Sequence, residues 1–294
     1  MKALRTPDSR FTGLPGFDYT PHYTELNGLR IHYLDEGAGE SILCLHGEPS
    51  WSYLYRKFIP VLSPHYRIIC PDLPGFGRSD KPARKKDYNF ALHFEVLNAF
   101  IDTLSLKEIT LVVQDWGGLL GLSLLGARPE LFKRVVIMNT FLPVGDTEFP
   151  KAFTTWKRFA LYSPVFPIGK IIDKGTYHDL SPAVRKAYDA PFPSARYKAG
   201  ARMFPKMVPV KPVDPGVPEM KKAREVLANW QKPCFVLFSD KDPIMRGARP
   251  FFLDLVPTAK NEPDFWIKGG GHFLQEDCGE EIAGHITEFI QRHP

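Results

Sequence analysis

The chain has 294 residues, 44% hydrophobic and 24% charged. That length can bury a substantial core, and this balance excludes intrinsic disorder. The net charge is +5, and its basic clusters at 81–86 and 221–224 lie beside no nucleic-acid-binding motif. They read as solvated faces, so nucleic acid is not expected as a partner.

No apolar run approaches the ~18 residues of a membrane helix, so no membrane association is expected. Residues 1–20 are polar and punctuated by Pro and Gly, without the apolar core of a secretory signal. Cys44, Cys70 and Cys234 fall in or beside apolar segments, and no Cys-x-x-Cys pair occurs. Small buried hydrophobes explain them better than disulfides or a metal site. A reducing cytoplasm is therefore the expected compartment, with no metal.

In chain order, strand-like segments are predicted at 29–33 and 42–45, followed by the turn His46-Gly47-Glu48-Pro49-Ser50-Trp51 and a helix over 52–62. A strand at 67–70 leads into Leu73-Pro74-Gly75-Phe76-Gly77-Arg78-Ser79. Its Gly-x-Gly lacks the rest of a dinucleotide fingerprint and is read as a turn. A helix over 92–104 precedes a β-branched, apolar strand at 109–114, and a small-residue helix follows over 118–127. A strand at 135–139 closes the first part.

The alternation then breaks. Residues 143–218 hold twelve prolines, several aromatics and helical fragments but no convincing strand. That is too long for a simple loop. An insertion there lands at the carboxyl ends of the strands, over the place where open α/β sheets bind ligands. It is read as a helical cap, and its aromatic content without a core of its own argues against a separate module. A strand at 235–239, a helix over 246–255, a strand at 265–268 and a helix over 280–291 complete the chain. Strands alternating with helices imply a mostly parallel sheet covered on both faces. The expected organisation is a first core part over 1–142, a helical cap over 143–218 and a second core part over 219–294. Nothing in the sequence demands an oligomer, and a monomer is expected.

The chemistry centres on Val113-Gln114-Asp115-Trp116-Gly117-Gly118. A residue at the sharp turn between such a strand and helix is lifted clear of the sheet, where hydrolases of this architecture carry a serine nucleophile. Serine needs a base to become reactive. Aspartate, with a reference pKa near ~3.9, is already an anion at neutral pH. Asp115 therefore suits attack on a saturated carbon, and the donor-only indole of Trp116 suits a departing anion. Of nine histidines, His272 in Gly269-Gly270-Gly271-His272-Phe273 has the best context for a base, late in the chain and just past the last predicted strand. His46 is read as shaping its turn. Asp240 and Asp242 both follow the preceding strand as candidates to orient His272. Asp242 is favoured because Asp240 would still be turning out of the strand. Asn139, after the earlier strand, cannot stabilise an imidazolium as an anion does. The backbone N–H groups of Glu48 and Trp116 are expected to form an oxyanion hole, with no role for the Glu48 side chain.

These segments together resemble the haloalkane dehalogenases of the α/β-hydrolase superfamily, from about Ile31 through most of the cap. The carriers are the run from His46 to Arg56 (His-Gly-Glu-Pro-Ser-Trp-Ser-Tyr-Leu-Tyr-Arg), Gln114-Asp115-Trp116-Gly117-Gly118, Ala190-Pro191-Phe192-Pro193 and Phe204-Pro205-Lys206-Met207-Val208. The resemblance implies an α/β-hydrolase fold with an inserted helical cap. It points to a branch whose second halide donor is a cap tryptophan, matched here by Trp156 in Phe153-Thr154-Thr155-Trp156-Lys157. In that branch the acid follows the later strand, as Asp242 does. Another branch takes its second donor from an asparagine at the position of Glu48. Val113 stands where small-residue elbows carry glycine, which weakens an esterase reading. The implied reaction is hydrolytic dehalogenation of a small apolar haloalkane by water to a primary alcohol and halide, through an ester on Asp115, with no cofactor. Phe153, Phe204, Pro205 and Val208 are the expected pocket lining. Two alternatives use the same scaffold. An epoxide hydrolase would hold its substrate oxygen with cap tyrosines (Tyr162, Tyr177, Tyr188, Tyr197), against which Glu48 and Trp156 argue. A non-catalytic ligand receptor would have no need of a complete triad.

Overall fold

The computed structural model describes residues 2–146 and 148–294. A short ribbon pairs β1 (Ala3–Leu4) with β6 (Lys81–Pro82). The main sheet contains β2 (His22–Leu26), β3 (Leu29–Glu36), β4 (Ser41–Leu45), β5 (Arg67–Pro71), β7 (Ile109–Gln114), β8 (Phe132–Met138) and β9 (Cys234–Val236). Its order is β2-β3-β5-β4-β7-β8-β9. The β2–β3 and β3–β5 pairs are antiparallel and the remaining pairs parallel. Every residue of β7 is buried, as a central strand covered on both faces requires.

The helices of the core are α1 (Ile59–Leu62), α2 (Phe90–Thr103), α3 (Trp116–Ala127), α8 (Val217–Ala228), α9 (Arg249–Leu255) and α10 (Leu274–Arg292). Leu111 and Val113 point towards Gly121 of α3, which has no Cβ to collide with Val113. That gap lets valine occupy the elbow position that glycine often fills. Thr110 faces the opposite way, bonded to Arg134, whose Nε donates to the His293 carbonyl beyond α10. The sheet is thus covered on both faces. Helix α3 is apolar all round because α2 and α8 pack beside it.

Four cap helices fill the long insertion: α4 (Lys151–Tyr162), α5 (Ile168–Gly175), α6 (Pro182–Asp189) and α7 (Ala199–Met207). They pack as the pairs α4·α7 and α5·α6. Helix α8 begins at Val217 and lies on α3, so the last two residues of the expected cap, 217 and 218, already open a core helix. Cap and core are tied by a buried cluster. Arg56 Nη2 donates to Glu276 Oε2 at 2.7 Å, and the Tyr188 hydroxyl of α6 donates to the same carboxylate.

Three expectations need correction. The segment at 265–268 is no full strand; it joins the sheet only through a Ser239–Ile267 bridge. The helix expected over 52–62 is a 3-10 turn (Ser52–Tyr55) and then the short α1. Proline fits only the first turn of a helix, so Pro60 forces a fresh start at Ile59. The hairpin β2–β3 was not anticipated, although Asn27 and Gly28, both at positive φ, form its turn. Among the described residues, no helix is long and apolar enough to cross a membrane.

Candidate active site

The site forms where β4 and β7, neighbours in space, end side by side and release their chains into the 46–51 turn and the Asp115 elbow. Asp115 has φ 50° and ψ −126°, a conformation that non-glycine residues seldom adopt. Its N–H donates to the Asn139 carbonyl, and its own carbonyl accepts from the Thr140 hydroxyl at 2.7 Å. These bonds hold the strained turn, and the side chain projects into a cavity. Gly47 lies against the carboxylate, where a Cβ would come within 2.3 Å of Asp115 Oδ1. Without that Cβ, the next amide can approach. The Glu48 N–H donates to Asp115 Oδ1 at 2.7 Å. The Trp116 amide opens α3 and so has no intrahelical acceptor.

His272 Nε2 lies 3.5 Å from Asp115 Oδ2, and its Nδ1 lies 2.8 Å from Asp242 Oδ2. The second Asp242 oxygen accepts from the Ile244 and Met245 amides at 2.7 and 3.0 Å. Burial opposes ionisation of Asp242, but the adjacent His272 and these amides hold its carboxyl below the usual range. Asp240 is turned away, accepting from the Gly269 N–H at 2.9 Å. For His272, burial again opposes the charge; Asp242 and Asp115 outweigh it, and the imidazole is pushed up to about 10.

Two residues that the sequence reading left without a role set the His272 loop. Gln114 Nε2 donates to the His272 carbonyl at 3.1 Å. Asn139 Nδ2 donates to Ser239 Oγ at 2.7 Å and to the Gly271 carbonyl at 3.0 Å. Their signal was position, directly beside Asp115 and directly after β8. His46 shapes its turn: Nδ1 donates to the Gly47 carbonyl at 2.9 Å, and Nε2 accepts from the Leu73 N–H at 3.0 Å. Asp72, also unanticipated, bonds His32 Nδ1 (2.7 Å), the Ser52 amide (2.8 Å) and the Arg78 amide (2.8 Å), pinning both loops under the site.

The cavity above Asp115 has a volume of about 610 Å³ and mostly apolar walls. Trp116 and Trp156 both border it, as do Phe153, Pro205 and Val208. Phe204 does not. It is fully buried behind the Trp116 ring, with centroids 4.8 Å apart, and packs on Phe76 and His93. The Trp116 indole N–H has no acceptor among the described residues. The Glu48 side chain, expected to be idle, forms part of the cavity wall, as Trp156 does. None of the four cap tyrosines borders the cavity, so an epoxide oxygen would find no phenol there. Among the described residues, no group of three or more His, Cys, Asp and Glu is arranged to hold a metal ion.

Residues 40–197 match the model of the alpha/beta hydrolase fold family. The chain is 47% identical to a haloalkane dehalogenase of Psychrobacter cryohalolentis, with all of both chains covered. It is 45% identical to one from Mycobacterium marinum, with 98% of this chain and 100% of the relative covered. Among solved structures, the tetrameric haloalkane dehalogenase of Paraglaciecola agarilytica superposes with a TM-score of 0.91 at 38% identity, covering 97% of each chain. An aspartate at the elbow, a histidine and second aspartate behind it, and a mostly apolar cavity fit what these full-length similarities establish: the chain belongs to the haloalkane dehalogenases, α/β-hydrolase-fold enzymes acting on carbon–halide bonds.

Proposed function

We propose that Asp115 displaces the halide in line from the substrate carbon and that Trp116 and Trp156 donate their indole N–H groups to the departing anion. This is the branch of the family with a tryptophan of the cap as second donor. The observation that carries the reading is the alignment of Asp115 between the Glu48 amide and His272, with Asp242 behind the imidazole. Oδ1 is held and oriented, and the carboxylate opens into an apolar cavity where donors to a developing charge are worth more than in water.

The second half-reaction follows from electrostatics. In the resting site the two carboxylates flanking His272 favour its protonated form. Alkylation turns Asp115 into a neutral ester and removes one of them. Burial then weighs more heavily, the imidazolium gives up its proton to solvent, and the neutral imidazole takes a proton from water as that water attacks the ester carbonyl. The Glu48 and Trp116 amides stabilise the oxyanion, Asp242 stabilises the imidazolium, and the alcohol leaves. A small haloalkane, water and halide are the partners. The chain acts as a monomer in this reading, although the Paraglaciecola relative is tetrameric. Its four cysteines are free thiols, which suits a reducing cytoplasm.

The assignment of Trp156 is tested by Trp156→Phe, which keeps the ring and removes the N–H. The protein is expected to fold, bind bromide more weakly by tryptophan fluorescence, and turn over at least ~10-fold more slowly. That corresponds to the ~1.4 kcal/mol of one charge-assisted donor. Unchanged affinity and rate would place the second donor elsewhere.

A further inference from the structure

The wall of the cavity changes character from floor to mouth. At the floor, Glu48, Trp116 and His272 are buried. Among the described residues, Glu48 and Asp115 are the only acidic ones that border the cavity. Helix α4 leads outward from there: Phe153 is buried, Trp156 half-buried and Phe159 39% exposed. Val165, in the link to α5, borders the cavity and is exposed as well. Helix α5 then brings Lys170, Ile171 and Lys174 to the same rim. The two lysines stand four residues apart and so share one helix face. The opposite face is turned to α6, where Gly169 packs on the Arg185 carbonyl. Both lysines are exposed, and among the described residues neither is in an ion pair or gives a hydrogen bond. The carboxylates nearest in the fold are already engaged. Asp173 takes Arg185 at 3.0 Å and the Leu180 amide at 2.7 Å, and Asp189 of α6 takes the Gly169 amide at 3.1 Å.

The complement of two unpaired ammonium groups at the rim of an apolar passage is an anion on a chain long enough to reach them from Asp115. Resting on the reading of Asp115 as nucleophile, we propose that the cavity takes primary haloalkanes with an anionic far end, the ω-haloalkanoates, and that Lys170 and Lys174 select that end. The halogen-bearing carbon lies at Asp115 and the methylenes lie along α4. The carboxylate, ionised at neutral pH, stays hydrated at the mouth beside the ammonium groups. It thereby escapes the desolvation that excludes haloacetate, whose carboxylate would be drawn down beside Asp115, of the same sign. In the net reaction the carbon–halogen bond breaks and the halide leaves with its electron pair. Water supplies the new hydroxyl and gives its other proton to solvent by way of His272, leaving an ω-hydroxyalkanoate. From Phe153 to Phe159, α4 rises ~9 Å at 1.5 Å per residue. With bonds of ~1.5 Å at tetrahedral angles, an extended chain of about eight carbons covers that length. Exposed charge pairs are weak and screened by salt, so the lysines bias the choice of substrate without enforcing it.

The test measures bromide release from 8-bromooctanoate and from its uncharged counterpart 8-bromooctanamide, at neutral pH and low salt. The readout is the ratio of the two kcat/KM values, which cancels any general loss of activity. In Lys170→Gln/Lys174→Gln the ratio is expected to fall about fivefold, the size two exposed charges can supply. In Lys170→Glu/Lys174→Glu it should fall further, and added salt should restore part of it. The same ratio for 3-bromopropanoate over 3-bromopropanamide should not move, because that carboxylate never reaches the mouth. An unchanged octanoate ratio in both variants overturns the proposal. So does an equal fall for the three-carbon pair, which would mean a general field and no seat for the anion. If the native chain releases no bromide from 8-bromooctanoate but turns over 1-bromobutane, the proposal fails and the Asp115 reading stands. No release from 1-bromobutane overturns that reading and the proposal with it.

Discussion

At the scale of single residues, the site runs on the charge state of one imidazole. His272 is flanked by Asp242 at 2.8 Å and Asp115 at 3.5 Å, and its pKa is pushed up to about 10 against the cost of burial. Because the folded value lies above the unfolded one, near ~6.5, the charged pair stabilises the fold fully below the unfolded value. That contribution is lost as pH rises through about 10. Removing the charge of Asp115 should bring the imidazole down. In Asp115→Asn, nitrogen NMR of His272 is expected to show a pKa clearly below that of the native chain. An unchanged value would mean that Asp242 alone sets it and that alkylation does nothing to prepare the base. The residues proposed to react stood out in the sequence because their chemistry is rare in context: a carboxylate at an elbow, and a histidine in a glycine-rich loop late in the chain. Gln114 and Asn139 were not, since their contribution is hydrogen bonds to the backbone of a loop more than a hundred residues away. The Glu48 side chain was passed over because its peptide N–H already explained its position.

At the scale of elements, the elbow is set by close approach of backbone. The Cα of Gly117 faces the Leu45 carbonyl of β4 so closely that a Cβ would lie 2.0 Å from that oxygen. The oxygen belongs to the central sheet, and the Tyr55 hydroxyl also donates to it, at 2.8 Å. Neither neighbour can yield without moving β4. Gly117→Ala is expected to cost about 3 kcal/mol, read as a fall in the melting temperature, and to lower activity by shifting Asp115. Native stability in that variant would show that α3 can slide away from β4. The central strands were readable because β-branched runs covered on both faces leave an unbroken apolar signature. The segment at 265–268 carries a similar signature, yet only one bridge joins it to the sheet. The hairpin strand His22–Leu26 is half-buried and polar, so its alternation is faint and only the Asn27-Gly28 turn marks it.

At the scale of the whole molecule, Asp115 and His272 enter the cavity from loops of the α/β sheet, and helices of the long insertion form much of its opposite wall. Cap helix α4 gives Phe153 and Trp156 to the cavity, and α7 gives Pro205. Phe204, next to Pro205, turns inward to brace Trp116. Which of two adjacent residues faces the void depends on the rotation of α7, and composition does not reveal that. The resulting cavity, about 610 Å³, is roomier than a two-carbon substrate requires but remains apolar. A charged haloacid entering it would lose hydration without gaining a partner. Haloacetate is therefore expected to be turned over far more slowly than 1-bromobutane in a halide-release assay, and the reverse order would contradict the role given to the cap. The central claim is the covalent ester on Asp115, and the most direct test is mass spectrometry of His272→Gln after exposure to 1-bromobutane. The first displacement needs no base and the second step does. The account predicts one bromide released per site, a protein heavier by one butyl group, and a modified peptide whose label is on Asp115. Normal turnover in that variant, or a label on any other residue, would contradict it.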